Sequence, residues 1–206
     1  MSQKVADVVE LERFLPDSYA DILEQLVCKS GEFLWQYNGS TNDLANPHIM
    51  SKDARSYEAD QFVHALFQEG ARRSAFFDVV FPMFYFMEDK TGVALATVER
   101  MKANLLVQKH IAEGSYNTPH IDIPDPGFKS LLYYVKDSDG DTFLFNETFQ
   151  QTSAAAARGG KPLTIRKRVA PRKGKAVLFN SNIWHASSHP RDNATRVVLN
   201  FIFRFK

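Results

Sequence analysis

His120 and Asp122 in the run HID, His185 in the pair WH, and Arg196 at the head of RVVLNFIF are the residues of this chain whose types and spacing could do chemistry. Side chains alternate along a strand, so a gap of two places His120 and Asp122 on one face. A third donor, His185, arriving from a distant strand would complete a two-histidine, one-carboxylate triangle around a metal ion. That donor set leaves coordination positions vacant, the arrangement characteristic of non-haem iron(II) sites. Arg196 lies eleven residues beyond His185. A guanidinium there offers a substrate carboxylate a permanently charged partner with a two-pronged hydrogen-bonding face.

Other donor sets fit less well. His185 and His189 are four apart, the spacing of two zinc ligands on a helix, but Pro190 disfavours helical geometry in the residue before it. His189 is therefore expected in a loop. His48, His64 and His110 have no partner at ligand spacing, and the prolines flanking Asp125 turn it away from the triad.

The elements that must position these residues change character along the chain. Pro16-Asp17-Ser18 is a helix start, with Tyr19, Ile22, Leu23, Leu26 and Val27 following at helical spacing. Residues 31–55 read as a short strand and a long loop. Further helices are predicted over 59–69 and 74–87, the second with a Phe-rich face that reads as buried core and leaves a homodimer open. From Glu99 the period becomes two: Met101, Ala103, Leu105 and Val107 alternate with Lys102, Asn104, Leu106 and Gln108. Strand-like runs follow at SLLYYV (130–135), TFLFNE (142–147), LTIRKRV (163–169), KAVLFN (175–180) and TRVVLNFIF (195–203). Turn-forming DSDGD, RGGKP, PRKGK and HPRDN separate them. With no crossover helices between the strands, the C-terminal half is predicted to be an antiparallel sandwich. The expectation is one α+β, mainly β domain over 1–206: a helical layer (1–98) packed on a β core (99–206).

Composition narrows the function classes. The chain has 206 residues, 44% hydrophobic and 24% charged, with a net charge of +1. No bulk field draws it to nucleic acid or membrane. Cys28 is the sole cysteine, which excludes an internal disulfide and a thiolate-built zinc site. The most apolar stretch, residues 75–87, contains Asp78 and Pro82 and is too short to span a bilayer. The N-terminus has no signal-peptide core, so a cytoplasmic protein is expected. The basic run Arg158, Lys161, Arg166, Lys167, Arg168, Arg172, Lys173 and Lys175 lacks interleaved aromatics, so a solvated face is expected in preference to a nucleic-acid grip.

RMKANL (100–105), YNTPHID (116–122), LLYYVKDSDGDTFLF (131–145), APRKGKAVLFNSNIWHASSHP (170–190) and RVVLNFIF (196–203) together resemble the iron(II)- and 2-oxoglutarate-dependent oxygenases, prolyl-4-hydroxylase-like branch. The resemblance covers about residues 98–206 and implies a double-stranded β-helix, or jelly roll. It implies His120, Asp122 and His185 as iron ligands and catalytic centre, and Arg196 as partner of the distal carboxylate of 2-oxoglutarate. Tyr134 sits where related enzymes hydrogen-bond that carboxylate. His110 falls where the family often has a cosubstrate-binding tyrosine. Thr142 and Asn200 are candidate pocket residues, and the GDT of DSDGDTFLF resembles a structural turn. The implied cofactors are Fe(II), 2-oxoglutarate and dioxygen, with ascorbate as an accessory reductant. The implied reaction couples decarboxylation of 2-oxoglutarate to hydroxylation of a C–H bond in a small-molecule or peptide substrate, a prolyl side chain being the nearest analogy. Two alternatives stay open: an AlkB-type nucleic-acid demethylase, since Arg191-Asp192-Asn193-Ala194-Thr195-Arg196 falls one residue short of that group's two-arginine array, and a non-catalytic cupin-like jelly roll.

Overall fold

The fold is described from a computed structural model, which covers residues 6–42, 50–151 and 163–206. His48, Arg158 and Lys161 lie outside the described residues. An eight-stranded sheet is assembled from β1 (Val8–Leu11), β2 (Gln36–Asn38), β4 (Gln61–Gln68), β5 (Ala71–Arg72), β6 (Leu95–Val107), β8 (Phe128–Tyr134), β11 (Ala176–Asn180) and β13 (Thr195–Phe205). Its order is β1-β11-β8-β13-β6-β4-β2, with β5 beside β4 and every pairing antiparallel. Facing it is a three-stranded sheet, β10 (Ile165–Val169), β9 (Thr142–Thr148) and β12 (Ile183–Ser187), in that order. The short β3 (Ser56–Tyr57) and β7 (Tyr116–Asn117) pair with each other. This is the jelly roll expected from the sequence.

Strand alternation decides what each face does. On β8 and β13, Leu131, Tyr133, Val197, Leu199, Phe201 and Phe203 point outward into the main core beneath the N-terminal helices. On the same strands Leu132, Tyr134 and Val198 point inward, where they meet Leu144 of β9 and Ile183 of β12 between the sheets. The outer face of the small sheet carries Phe143, Phe145, Trp184 and Ala186. The helices α1 (Asp17–Glu24) and α3 (Met83–Thr91) bring Leu23, Phe84 and Met87 to the main core. Phe84 meets Phe201 and Phe203 edge-on, with ring centroids 5.4 and 5.3 Å apart, a favoured aromatic geometry. Gly92 ends α3 at φ 69°, a left-handed turn that costs glycine little.

The N-terminal half departs from the sequence expectation. Residues 61–68, read as helix, form β4 between β2 and β6. The apolar residues Phe62, Val63, Leu66 and Phe67 fall at helical intervals because a bulge between Ala65 and Phe67 shifts the strand's phase. The single helix expected over 74–87 is two, α2 (Phe77–Val80) and α3, parted at Pro82, which has no N–H to continue the ladder. β6 begins at Leu95, so the division expected at 98/99 falls inside a strand.

Candidate metal centre

The inward faces of β6, β13 and β8 form a grid. Arg196 lies opposite Leu106; Val198 lies between Asn104 and Tyr134; Asn200 between Lys102 and Leu132; Ile202 between Arg100 and Ser130. The even-numbered side of β6, expected to alternate toward polar surroundings, therefore faces this interior. Lys102, Asn104 and Leu106 line a cleft together with His120, Thr142, His185, Arg196 and Asn200.

The two imidazoles are brought together by backbone. His120 and His185 exchange both peptide hydrogen bonds, at 2.9 and 2.8 Å, and their rings lie 4.4 Å apart. Asp122 and Ile123 N–H both donate to Ser181 O, at 3.0 and 3.3 Å, so the chain bends at Asp122 while staying tied to the segment that leads into His185. One donor atom from each of His120, Asp122 and His185 lies within 4.8 Å of the others.

The donor set fits a divalent ion. His185 Nδ1 lies 3.0 Å from Ile183 O, and a carbonyl can only accept, so Nδ1 carries the proton and Nε2 the lone pair. That Nε2 stands 3.6 Å from Asp122 Oδ2, too far for a hydrogen bond but suited to two donors sharing one ion. Burial holds the His120 imidazole neutral, pushing its pKa down to about 3. Burial alone would raise the Asp122 carboxyl; with both imidazoles neutral, the Arg100 guanidinium and the Ser130 hydroxyl oppose that and favour the ionised form. Neutral imidazole and ionised carboxylate are the states a metal binds.

Arg196 occupies the far end of the cleft. Its side chain is buried, 3% exposed, and no carboxylate of the described residues pairs with it. Nε donates to Gly140 O at 2.6 Å and Nη2 to Thr142 Oγ1 at 2.7 Å. Tyr134 OH donates to the same Thr142 oxygen at 2.8 Å. With both acceptor sites of Thr142 taken, its own proton is left to donate, beside the guanidinium. A buried cation with no counter-charge is costly unless an anion joins it. Gly140 makes room for this: a Cβ there would stand 2.5 Å from Ser188 O and 2.9 Å from Arg196 Cδ. The GDT turn is thus part of the arginine's seat.

The remaining candidates are placed as follows. Tyr134 is not among the residues lining the cleft; its hydroxyl donates to Thr142 and the Arg196 guanidinium lies over its ring, 5.8 Å from the centroid. His110 is exposed beyond the end of β6 and does not line the cleft; the strand stops at Val107, so cleft-facing positions end with Leu106. His189 is fully buried, with Nδ1 2.7 Å from Val107 O and its N–H donating to Tyr57 OH at 3.0 Å. His64 bridges Leu34 O and Ser74 Oγ away from the cleft. Asp125 pairs with Arg204 at 2.5 Å. Asp139 accepts the N–H groups of Arg191, Asp192 and Asn193, so RDNATR is a capped loop, and Arg191 does not line the cleft. The basic run is largely neutralised within the chain: Lys167 and Lys175 pair with Glu10, Lys173 with Asp21 and Glu24, and Arg168 with Asp141. Arg100, Lys102, Asn104 and Ser130 were not singled out in sequence as site residues. Their only signal is parity, since each shares a strand face with a recognised site residue.

No protein-family model matches the chain, and none of the curated proteins does. Solved structures do. A prolyl-4-hydroxylase from Pseudomonas putida superposes with a TM-score of 0.55 at 14% identity, over 97% of this chain and 94% of that one. A viral collagen prolyl hydroxylase from Paramecium Bursaria Chlorella virus-1, solved as a 2OG complex, gives 0.51 at 13% identity, over 98% of each chain. The non-heme alpha ketoglutarate dependent epimerase SnoN of nogalamycin biosynthesis gives 0.60 at 12%, over 96% of this chain and 78% of that one. The fold is that of the 2-oxoglutarate- and iron(II)-dependent oxygenases. Hydroxylases and an epimerase share it, so the fold leaves the reaction to be argued from the cleft.

Proposed function

We propose that this protein is an iron(II)- and 2-oxoglutarate-dependent dioxygenase that hydroxylates a small-molecule or peptide substrate. The observation that carries the reading is one cleft with a donor triad at one end and a buried guanidinium lacking a carboxylate at the other. His120, Asp122 and His185 would hold the metal, which when bound supplies the dioxygen and decarboxylation chemistry. Arg196 and the Thr142 hydroxyl would hold the distal carboxylate of 2-oxoglutarate, fixing the orientation of its keto acid end toward the triad. Leu106, Leu132 and Val198 line the path between and exclude water from it. Thr41, Gln61 and Ser187 add polar groups to the cleft wall, which favours a substrate with hydrogen-bonding groups of its own. Among the described residues no helix is long and apolar enough to cross a membrane.

The test is succinate formation from 2-oxoglutarate under air with Fe(II), with and without candidate peptides followed by intact mass for one added oxygen. Turnover that vanishes in His120→Ala supports the reading. Metal binding with neither 2-oxoglutarate binding nor turnover would replace it with the cupin-like alternative.

A further inference from the structure

We propose that Arg100 is a positioning residue for Asp122, reserving one carboxylate oxygen so that only the other is offered to the metal. The inference rests on the reading of His120, Asp122 and His185 as a metal site. Arg100 Nη2 donates to Asp122 Oδ1 at 2.9 Å, while Ser130 Oγ donates to Oδ2 at 2.6 Å. Oδ2 is also the oxygen that faces His185 Nε2, at 3.6 Å. The two oxygens are therefore already assigned: Oδ1 to the guanidinium, Oδ2 to the triad. The backbone sets this up, because Ile202 of β13 lies opposite both Arg100 of β6 and Ser130 of β8. Both donors thus project inward from one row of the sheet, and the Asp122 side chain is 2% exposed against 28% for Arg100. Ser181 Oγ, 2.9 Å from Ser130 Oγ, fixes the serine in turn.

The consequence is a count of coordination positions. An octahedral ion with three protein donors keeps three positions, two for a chelating keto acid and one for dioxygen. If Asp122 bound through both oxygens it would take one of them. A guanidinium donating to Oδ1 prevents that.

Cobalt(II) is the probe, because its visible spectrum reports the ligand set without turnover. In Arg100→Met Oδ1 is released, while Ser130 still holds Oδ2. The cobalt spectrum should change as Oδ1 takes a position otherwise left to solvent or ketoacid, and 2-oxoglutarate affinity of the cobalt-loaded protein should fall about tenfold or more, the scale typical of lost outer-shell partners. Arg100→Lys should recover part of both, which a merely structural role would not require. A wild-type spectrum and wild-type 2-oxoglutarate affinity in Arg100→Met would overturn the inference, whatever its melting temperature. If Arg100→Met fails to fold, Arg100→Lys decides: a cobalt spectrum that departs from wild type together with weaker 2-oxoglutarate binding supports the assignment, and a spectrum and affinity identical to wild type overturn it. Wild-type protein that binds no cobalt would instead sink the metal-site reading itself.

Discussion

Replacing Arg196 by Met separates a cosubstrate clamp from a structural cation. Arg196 is buried with hydrogen bonds to Gly140 O and Thr142 Oγ1 but no carboxylate. Methionine removes a buried charge that no carboxylate pairs with, takes the arginine's donor from Gly140 O and leaves Thr142 Oγ1 with Tyr134 as its remaining donor. The terms oppose each other, so the melting temperature of the ligand-free protein should move little. Ligand response should change greatly. Wild-type protein loaded with Mn(II), at a 2-oxoglutarate concentration of about 100 Kd, gains roughly 2.7 kcal/mol. At about 2–4 °C per kcal/mol for a domain of this size, that is a rise of roughly 5–11 °C. Truncating one member of a buried charged pair costs about 2–5 kcal/mol, which is at least about a 30-fold loss of affinity. For a 100-fold loss, the same ligand concentration stabilises by only about 0.4 kcal/mol, a shift of about 1 °C. The assay is thermal unfolding with and without 2-oxoglutarate. A variant that keeps a shift within about 2 °C of wild type would refute the placement of the carboxylate at Arg196.

Three further outcomes are expected. His185→Ala should abolish Co(II) binding and, with it, any 2-oxoglutarate-induced shift; chelation of wild-type protein should do the same, and a shift surviving chelation would uncouple the two sites. Gly140→Ala should cost about 1–3 kcal/mol in denaturant unfolding, since its methyl meets backbone atoms that cannot step aside, and should weaken 2-oxoglutarate by displacing Arg196. In metal-free protein, stability should fall as pH drops below about 6.5 toward 3: the unfolded chain takes up the proton that buried His120, with its pKa near 3, refuses. The slope from that one group is at most about 1.4 kcal/mol per pH unit. Burial lowers His189 in the same direction, so His120→Gln should flatten the profile by one proton rather than abolish it.

The C-terminal half was legible because strand parity carries both fold and site. Ser130, Leu132 and Tyr134 share a face in the sequence and share it in the structure. The same parity places Arg196, Val198, Asn200 and Ile202 inward, whereas the HID run is an isolated bridge followed by a bend, so its two donors meet through backbone bonds to His185 and Ser181. Parity failed at β4, where one bulge turns a strand's apolar residues into a helical pattern, a phase change that no single-sequence period can reveal. His110 failed for another reason. It was placed by distance along the chain from His120, while what matters is where β6 ends. Arg100 was invisible as a site residue because its partner, Asp122, is remote in sequence and meets it only through strand pairing. Tyr134 was found, but its hydroxyl is claimed by Thr142, a contact set by two strands packing across the sandwich.

β13 carries Arg196 at one end of an inward-facing run whose other end, Ile202, lies beside Arg100 and Ser130. Because only alternate residues face the cavity, the separation between the two can change by insertion or deletion only in double steps, about 6.6 Å at a time. A single added residue would instead rotate the guanidinium out toward the helices. The strand therefore behaves as a ruler with coarse graduations. A change of one carbon in the length of an anion held between Arg196 and the triad cannot be met by sliding the frame, only by changing the side chains along it.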